Sequence, residues 1–545
     1  MKFRIGIDFD NTIACYDSVF TRVANDLGMI TESAVLTKAE VKKLIYLADP
    51  GGTNWQKLQG QIYGKFMFMA SIFFGFPEFL KMALIKGHEV FIVSHKSPYG
   101  HFDDNKVLLR DEAMKWLISN KFVGSDSLMI PVENVFFETT RQEKINRINS
   151  INCTHFVDDL QEVFDEESFP ISVSKYLFDP ASKGNAKSNQ FRGSWKSISK
   201  AILGDWDLKN LLTVTKILFS GLDIETIDLV RGRGNSKIYK LIGPKESFAL
   251  KIYPDRQTDQ RNRLETEFSA CQMLNMEDMP VVKGIFYNTE MNWGIYSWID
   301  GYSETPTDEF VSRAIFFVKN LLKLSIQEDK NKFQQASEAC LCGAEIVRQL
   351  NERLDRLKIV DNALLQYFLT KELIPTMEIA IKLATHEMEE AFNQITPIVD
   401  QILNPSDFGS HNAIRTITGE TVFIDFEYFG WDDPVKLASD FYWHPAMNLS
   451  LGLKRKWVKE IMVLFGPENN TFIKRFKAYL PLFGLRWCLI LLNEFLPERL
   501  AQRIHADAEK ADQIFHVQEL QVQKARSILK SIKKDNKIWM NVPSI

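Results

Sequence analysis

Short apolar runs alternate with longer stretches of helical periodicity over the first 200 residues of the chain. The apolar runs, at 3–7, 90–93, 135–137 and 155–157, are brief and rich in β-branched and aromatic side chains. Runs of this kind separated by helical segments predict parallel strands covered by helices, an α/β fold. Ligands of such sheets bind beyond the carboxyl ends of the strands. The residues expected at these ends are Asp8, Ser94 and Asp158.

Helical periodicity also fills about 75 residues between the first two predicted strands. An insertion at this point predicts a helical cap over the site, spanning about 14–88. The composition becomes polar and turn-rich near 180–210, which predicts the end of the first domain. We therefore expect one domain at 1–200 and a linker at 201–220.

A different pattern begins after the predicted linker. Alternating apolar residues at 227–231, 238–242 and 248–252 predict successive antiparallel strands. Helical periodicity dominates from about residue 310 onward. We expect a strand-rich lobe at 221–299 and a helical lobe at 300–545.

Composition narrows the class of protein. A chain of 545 residues is long enough for two or three domains, and a formal net charge of −4 gives no reason to expect a nucleic-acid partner. Six cysteines without paired spacing indicate reduced thiols, so we expect a cytoplasmic protein. The most apolar stretch, 66–77, is shorter than the ~20 residues of a membrane helix, so no membrane association is predicted. The oligomeric state cannot be predicted from these features.

Two carboxylates lie two residues apart directly after the first predicted strand. Asp8 could attack phosphorus to form an acyl phosphate, and Asp10 could then handle the leaving-group proton. So much negative charge requires a divalent cation, and Mg²⁺ bound by Asp8, Asp10, Asp158 and Asp159 would offset it.

Two further side chains complete the predicted phosphate site. Ser94, after its strand, could donate a hydrogen bond to a phosphoryl oxygen. A lysine should neutralise the developing charge, and Lys144 is the first choice, with Lys96 second. His95 and His101 are interpreted as local hydrogen-bonding residues.

These elements resemble the four motifs of the haloacid dehalogenase-like (HAD) phosphohydrolases, matched by Asp-Phe-Asp-Asn-Thr at 8–12, Ser94, Lys144 and the Asp158-Asp159 pair. The resemblance covers about 1–200 and implies a Rossmann-like parallel sheet with a helical cap, an aspartyl-phosphate intermediate and Mg²⁺. Phosphatase activity is the first expectation. Phosphomutase or dehalogenase chemistry uses the same nucleophile, although Asp10 favours phosphoryl chemistry.

The second half of the chain contains, in order, the groups needed for phosphoryl transfer from ATP. Lys251 in an alternating strand would bind the phosphates, and Glu267 in the next helix would hold it, with Glu265 as the competing choice. Asp407 would accept the proton of a substrate hydroxyl. Asn412 and Asp425 would bind Mg²⁺.

Additional nucleotide contacts are predicted on either side of these groups. A glycine-containing turn with Gly232 and Gly234 precedes the strand of Lys251 and would cover the phosphates. The segment 296–299, which includes Ser297 and Trp298, is interpreted as the connection between two lobes, with backbone groups that could pair with adenine.

This half resembles the aminoglycoside phosphotransferase and choline kinase family within the protein-kinase-like fold. The resemblance rests on Lys251, the segment 407–412 and the sequence Ile-Asp-Phe-Glu-Tyr-Phe-Gly-Trp-Asp-Asp-Pro at 424–434. It covers about 221–500 and implies an α+β two-lobed kinase. One departure is Pro405, where that family usually has a histidine two residues before the catalytic aspartate.

Together these features predict a bifunctional enzyme, a Mg²⁺-dependent phosphatase joined to an ATP-dependent small-molecule kinase. The two activities would be productive on different positions of one metabolite, for example a sugar, amino sugar or amino alcohol destined for surface polysaccharide. The alternatives are a phosphatase regulated by a nucleotide-binding pseudokinase and, less favoured because no activation segment fits between Asp425 and Asp433, a protein kinase.

Overall fold

The computed structural model describes residues 2–31, 34–100, 102, 106–182, 185–187, 189–230, 236–254, 261–329, 331–466, 470–497 and 511–539. The chain forms two compact units. The first comprises 1–260 and 286–295, and the second comprises 261–285 and 296–545.

The first unit begins with alternating strands and helices, as the apolar pattern predicts. In chain order these elements are β1 Arg4–Ile7, β2 Ala14–Cys15, α1 Asp17–Asp26, α2 Lys38–Ala48, α3 Thr53–Tyr63, β3 Ser71–Ile72, α4 Phe76–Ile85, β4 Glu89–His95, α5 Leu109–Ser119, β5 Val135–Glu138, α6 Arg141–Ser150, β6 His155–Asp158, α7 Gln161–Phe164, β7 Ser174–Phe178, β8 Asn185–Lys187, β9 Gln190–Gly193, α8 Trp195–Leu203 and α9 Leu208–Leu218.

Seven of the strands form one sheet in the order β5-β4-β1-β6-β7-β9-β8. All neighbours are parallel except β8 and β9, so the predicted parallel sheet is confirmed. β1 lies between β4 and β6, with Ile7 paired to Ile92 and to Val157. Ile5 and Ile7 are buried on one face of β1, and Gly6 lies against the Phe156 ring on the other, so both faces of this central strand are covered. This register brings the residues after β1, β4 and β6 to one edge.

The helical insertion is shorter than predicted. Helices α1, α2 and α3 pack on one another, with Phe20 stacked on Trp55 at a ring-centroid distance of 5.0 Å. The predicted cap of 14–88 also included α4, but α4 packs against β4 and α8 and belongs to the sheet layer. The apolar residues of α4 suit either a cap helix or a helix packed on the sheet, and only the tertiary contacts distinguish the two.

The predicted linker at 201–220 is largely helical. It contains the end of α8 and all of α9, which begins with Asp207 accepting a hydrogen bond from the Asn210 N–H. Leu211 and Val214 of α9 are buried, and α9 packs against the first strand of the next sheet. The turn residues Gly193 and Gly204 that suggested a linker instead flank α8.

An antiparallel sheet follows, in agreement with the alternating pattern. Its elements are β10 Thr226–Val230, β11 Lys237–Ile242, β12 Ser247–Ile252, β13 Gly284–Asn288 and β14 Trp293–Ser297, with α10 Arg263–Met276 between β12 and β13. The strand order is β10-β11-β12-β14-β13, and β10, β11 and β12 pair antiparallel. The predicted glycine turn with Gly232 and Gly234 lies outside the described residues.

The remaining elements belong to the second unit, which is mainly helical as expected. They are β15 Gly301–Ser303, α11 Asp308–Gln327, α12 Gly343–Lys358, α13 Ala363–Phe368, α14 Ile374–Met388, β16 Ile402–Asn404, β17 Ala413–Thr416, β18 Thr421–Phe423, β19 Gly430–Asp432, α15 Pro434–Trp443, α16 Leu451–Phe465, α17 Asn470–Leu491 and α18 Ala511–Trp539. Short antiparallel ladders join β15-β17-β18 and β16-β19. Within the described ranges, no helix combines the length and the apolarity needed to cross a membrane.

A buried ionic network stabilises the start of α15 in this unit. The Lys436 Nζ lies 3.2 Å from a carboxylate oxygen of Asp432 and 3.2 Å from one of Asp440. Asp432 also accepts hydrogen bonds from the Cys340 N–H and from the Asn404 side chain. Since Asn404 ends β16, this network fixes the chain just before the segment that contains Asp407.

We predict that Leu80→Ala on α4 destabilises the first unit by about 2–5 kcal/mol, because Leu80 is fully buried and truncation leaves a cavity. Leu47→Ala is the matched control: Leu47 is 73% exposed, so its loss should stay within about 0.5 kcal/mol. Urea denaturation of both variants measures the difference. Equal destabilisation would contradict the assignment of α4 to the core.

Candidate active sites

In the first unit, a lysine bridges two buried carboxylates at the carboxyl edge of the parallel sheet. The Lys144 Nζ donates to Asp8 Oδ1 and to Asp158 Oδ2, each at 2.6 Å. Asp8 follows β1, Asp158 ends β6, and Lys144 reaches both from α6, whose N-terminus has a capping box formed by Thr140 and Glu143. The structure thus brings together three of the predicted residues. Lys144, rather than Lys96, is the lysine that contacts the predicted nucleophile.

A third carboxylate increases the negative charge at this edge. The carboxylate oxygens of Asp8, Asp158 and Asp159 lie within 4.8 Å of one another. Burial raises the pKa of Asp8; the positive charge of Lys144 opposes this rise, and the negative charge of Asp158 adds to it. Burial also raises the pKa of Asp159, and the negative charges of Asp8 and Asp158 raise it further. The single ammonium group therefore does not compensate the cluster. Hard oxygen ligands with excess negative charge fit Mg²⁺, and Mg²⁺ binding here stays a prediction.

Asp10 has different partners from Asp8. The Lys96 Nζ donates to both oxygens of Asp10, at 2.9 and 2.8 Å, and the Tyr16 hydroxyl donates to Asp10 Oδ1. Asp10 is absent from the group of carboxylates that converge at Asp8, so these contacts favour a proton-transfer role over the predicted role as a metal ligand. Lys96, the second choice for the phosphate lysine, holds the predicted acid in place.

Ser94 is the clearest unoccupied hydrogen-bonding group near this edge. It lies in β4 beside β1, is 1% exposed, and its Oγ has no hydrogen-bond partner among the residues that the structure describes. A buried hydroxyl without a partner costs free energy unless a ligand satisfies it. Ser94 is therefore suited to bind a phosphoryl oxygen. His95 contacts the Thr139 carbonyl oxygen at 2.8 Å, a local role as expected, while His101 lies outside the described residues.

The inserted helices contribute a second cation. Lys38, the first residue of α2, places its Nζ 5.6 Å from the centre of the Tyr63 ring. Burial alone would lower the pKa of Lys38, but Tyr63, Asp159 and Asp10 raise it above the ordinary value. Lys38 therefore remains charged close to the carboxylates of Asp159 and Asp10.

In the second unit, two histidines converge on Asp407. The His411 Nε2 lies 2.9 Å and the His444 Nε2 3.2 Å from Asp407 Oδ1, and the two imidazole rings stack with centroids 3.9 Å apart. Trp487 packs edge-on against His444. Burial would raise the pKa of Asp407, but the hydrogen bonds from His411 and His444 outweigh it and hold the pKa well below the ordinary range. Asp407 is thus an oriented anion.

Asn412 orients the same carboxylate and lies beside Asp425. The Asn412 Nδ2 donates to the Asp407 carbonyl oxygen at 2.9 Å and to Asp407 Oδ2 at 3.2 Å, which leaves its amide oxygen as the atom available to a cation. The Ile424 N–H donates to the Asn412 carbonyl oxygen at 3.0 Å, because β17 and β18 pair directly beyond these residues. The structure therefore brings Asn412 to Asp407 and places the backbone of Ile424, the residue before Asp425, against Asn412.

Asp425 belongs to a second group of acidic residues. Carboxylate oxygens of Glu267, Asp425 and Glu427 lie within 4.8 Å of one another. Arg263 forms a buried ion pair with Glu427. Asp425 has a φ of +69°, a left-handed conformation that costs free energy for a residue with a side chain and is often retained at functional sites. This oxygen-rich group fits Mg²⁺ with Asp425 as a ligand.

The remaining predicted nucleotide contacts are divided between the compact units. Lys251 is buried in β12 of the first unit, whereas Glu267 lies in α10 of the second, so their pairing stays a prediction. Ser297 and Trp298 belong to the second unit. The Ser297 N–H donates to the Lys283 carbonyl oxygen and the Ser297 Oγ accepts from the Lys283 N–H, both at 2.9 Å. The Ser297 N–H is therefore already used, and adenine pairing by the backbone groups of 296–299 stays a prediction.

Several residues at these sites could not be identified from the sequence. Tyr16 and Lys38 come from the insertion, His444 ends a helix 33 residues after His411, and Glu427 lies in a motif that was assigned only for Asp425. No local spacing links Tyr16 to Asp10 or His444 to Asp407. For Glu427, the only sequence signal was its position two residues after Asp425.

Comparisons with known proteins give matches only among solved structures. Neither a scan against protein-family models nor a search of curated proteins finds a match. A putative aminoglycoside phosphotransferase from Ralstonia eutropha is 13% identical over 61% of this chain and 99% of its own, with a TM-score of 0.42. A choline kinase from Streptococcus pneumoniae is 13% identical over 59% and 99%, with a TM-score of 0.40. An ethanolamine kinase from Plasmodium vivax is 16% identical over 60% and 91%, with a TM-score of 0.41. Sequence identities and TM-scores this low do not indicate the activity or the substrate of this chain.

We predict that Mg²⁺ stabilises the first unit through Asp158. At about 100 times its Kd, a ligand raises the free energy of unfolding by about 2.7 kcal/mol, and Asp158→Asn should remove most of that gain by deleting a charged ligand. Calorimetric melting with and without Mg²⁺ measures the effect. Asp26→Asn, at an exposed position on α1, is the control and should respond as the wild type does. An undiminished response in Asp158→Asn would contradict the proposed ligand set.

Proposed function

We propose that this chain is a bifunctional enzyme, a Mg²⁺-dependent phosphatase fused to an ATP-dependent small-molecule kinase. The observation that carries the proposal is that each compact unit contains its own group of converging carboxylates. In the first unit Lys144 contacts Asp8 of this group, and in the second unit His411 and His444 orient a further aspartate, Asp407. Two such groups favour two separate phosphoryl-transfer steps.

The first group supports hydrolysis through a covalent intermediate. Asp8 attacks phosphorus, the bond to the leaving oxygen breaks, and Asp10 gives that oxygen a proton. Asp10 then takes a proton from water, which attacks the acyl phosphate and releases inorganic phosphate. Lys96 and Tyr16 keep Asp10 oriented through both steps, and Lys144 keeps Asp8 in place.

The remaining residues of this group suit a phosphate dianion. Ser94 offers its unused hydroxyl, and Asp8, Asp158 and Asp159 would hold Mg²⁺, which supplies charge neutralisation between the carboxylates and the phosphate. This arrangement agrees with the HAD-like motifs in the sequence. It supports a phosphatase more than a dehalogenase, because halide release does not require the acid at Asp10.

The second group supports transfer of a phosphoryl group to a hydroxyl. The bond between the γ-phosphorus and the oxygen of ADP breaks, the acceptor oxygen forms the new bond, and Asp407 takes the hydroxyl proton. Asn412 and the two histidines fix the direction of Asp407. Asp425 and Asn412 would hold Mg²⁺, which supplies charge neutralisation on the ATP phosphates. Lys251 is proposed to bind those phosphates.

The acceptor class proposed from the fusion is a sugar, amino sugar or amino alcohol. A kinase and a phosphatase that act on the same position would only consume ATP, whereas action on two positions moves a phosphate around one metabolite. Precursors of surface polysaccharide are one destination for such a compound.

We predict that the two activities can be removed separately. Asp8→Asn should lower phosphatase turnover by at least about 10³-fold, equivalent to about 4 kcal/mol, and leave ATP-dependent phosphorylation unchanged. Asp407→Asn should do the reverse. Both variants keep side-chain size, and each serves as the control for the other.

Two outcomes would count against this proposal. Loss of both activities in Asp8→Asn would contradict independent sites. Unchanged phosphatase and unchanged ATP use in Asp407→Asn would favour the regulatory pseudokinase. Release of phosphate from phosphorylated metabolites and release of ADP with hydroxylated metabolites are the two measurements.

We also predict that His444 positions Asp407. Without this donor the Asp407 anion is less stabilised, so its pKa rises, and the acid limb of the kinase pH profile should move to higher pH in His444→Ala. The kcat should fall by about tenfold or more, since proton acceptance contributes about 10²–10⁴ to such rates, while the KM for ATP changes little. His386→Ala, at an exposed position on α14, is the control. An unshifted acid limb would contradict the role of His444.

A further inference from the structure

A pocket of the second unit, separate from Asp407 and its histidines, lies next to the predicted catalytic segment. It has a volume of about 650 Å³, and its lining includes four arginines, Arg261, Arg348, Arg353 and Arg356, against three glutamates, Glu338, Glu345 and Glu352. The arginines come from α12 and from the residues just before α10. These four arginines have no role in the proposed phosphatase reaction or in the orientation of Asp407.

Hydrogen bonds connect the wall of this pocket to the catalytic segment. The carbonyl oxygen of Tyr428 accepts from the Ser337 N–H at 3.1 Å and from the Ser406 Oγ at 3.2 Å. Ser337 lines the pocket, and Ser406 directly precedes Asp407. One carbonyl group therefore joins the pocket wall to the residue before the proposed proton acceptor.

Arg261 extends this connection. Its guanidinium lies 5.0 Å from the centre of the Tyr428 ring, and its Nη1 is 3.4 Å from the Ser337 Oγ. Tyr428 follows Glu427, a member of the acidic group with Asp425. The pocket is thus adjacent to the part of the unit that contains both the proposed metal ligands and the proposed base.

The glutamates do not cancel the positive charge of the lining. Arg348 forms ion pairs with Glu345 and Glu352. Glu338 forms ion pairs with Arg353 and with Arg486. Arg356, exposed on α12, has no hydrogen bond or ion pair with any described residue. The lining therefore carries a surplus of one positive charge, which attracts an anion. The pocket volume of about 650 Å³ is large enough for a small anionic metabolite.

We propose that this pocket binds a phosphate monoester on the kinase's own acceptor, so that the kinase phosphorylates a hydroxyl of an already phosphorylated sugar or polyol. The inference rests on the proposed kinase function and specifies its substrate class. A guanidinium group matches the oxygens of a phosphate in bidentate geometry. Arg356, which gives the lining its surplus positive charge, therefore favours a phosphorylated acceptor over a neutral sugar. The product carries two phosphates, and a phosphatase in the same chain can remove the first of them. The reaction that supplies the acceptor is therefore an earlier phosphorylation at a different position.

The test uses the full chain with Asp8→Asn, so that added phosphomonoesters are not hydrolysed by the first unit. ADP release is measured with glucose, mannose, N-acetylglucosamine and ribose, with their 6- or 5-phosphates, and with gluconate. We expect the phosphorylated sugars to exceed the parent sugars by at least about tenfold in kcat/KM, since a single hydrogen bond to a charged group contributes at least that much.

Arg356→Gln, made in the same background, tests the pocket itself. It should raise the KM for the phosphorylated acceptor by about tenfold and leave the KM for ATP unchanged, because Arg356 supports no other described residue. Arg455→Gln, at an exposed position on α16 of the same unit, is the matched control and should change neither KM.

Each other outcome overturns a specific statement. Turnover of the neutral sugars alone, or an unchanged acceptor KM in Arg356→Gln, overturns the phosphate pocket and leaves the kinase proposal intact. Equal turnover of gluconate and the sugar phosphates overturns the choice of phosphate over carboxylate. ADP release with none of these compounds, together with no calorimetric binding of ADP and Mg²⁺, overturns the kinase proposal as well.

Discussion

The structure depends on one electrostatic constraint: carboxylates buried close together must be compensated. Both units place three acidic side chains within 4.8 Å of one another, and removal of such groups from water is costly unless cations or hydrogen-bond donors replace the water. The elements around each group can be understood as the means of satisfying this requirement. Helix α6 brings Lys144 to Asp8 and Asp158, and Arg263 of α10 pairs with Glu427.

The two units satisfy the constraint in different ways, and the difference fits the proposed chemistries. In the first unit the Lys144 ammonium group lies between Asp8, the proposed nucleophile, and Asp158, so Asp8 is fixed in a buried site beside a cation that opposes the rise of its pKa. In the second unit Asp407 retains about a third of its side-chain exposure and is oriented by histidines and an amide. A nucleophile benefits from exclusion of water, whereas a proton acceptor must remain reachable by a substrate hydroxyl.

Much of the framework could be predicted from the sequence because its signals are local. Strand periodicity identified β1, β4, β5 and β6, and residues at strand ends identified Asp8, Ser94 and Asp158. The extent of the cap and the linker at 201–220 were wrong, because α4 and α9 have ordinary amphipathic sequences whose partners are distant in the chain. The roles of Lys96 and Ser297 also depended on contacts that composition and spacing do not encode.

The sequence by itself determined which residues reach the carboxyl edge of the sheet and which acidic residues flank β17 and β18, since both follow from the period of a strand and the order of the motifs. Only the tertiary structure decided that Lys144 contacts Asp8 and Lys96 contacts Asp10, and that His444 stacks on His411. The physical reason is that such contacts join side chains far apart in the chain. Their distances are fixed by how whole elements pack, and no local pattern records that packing.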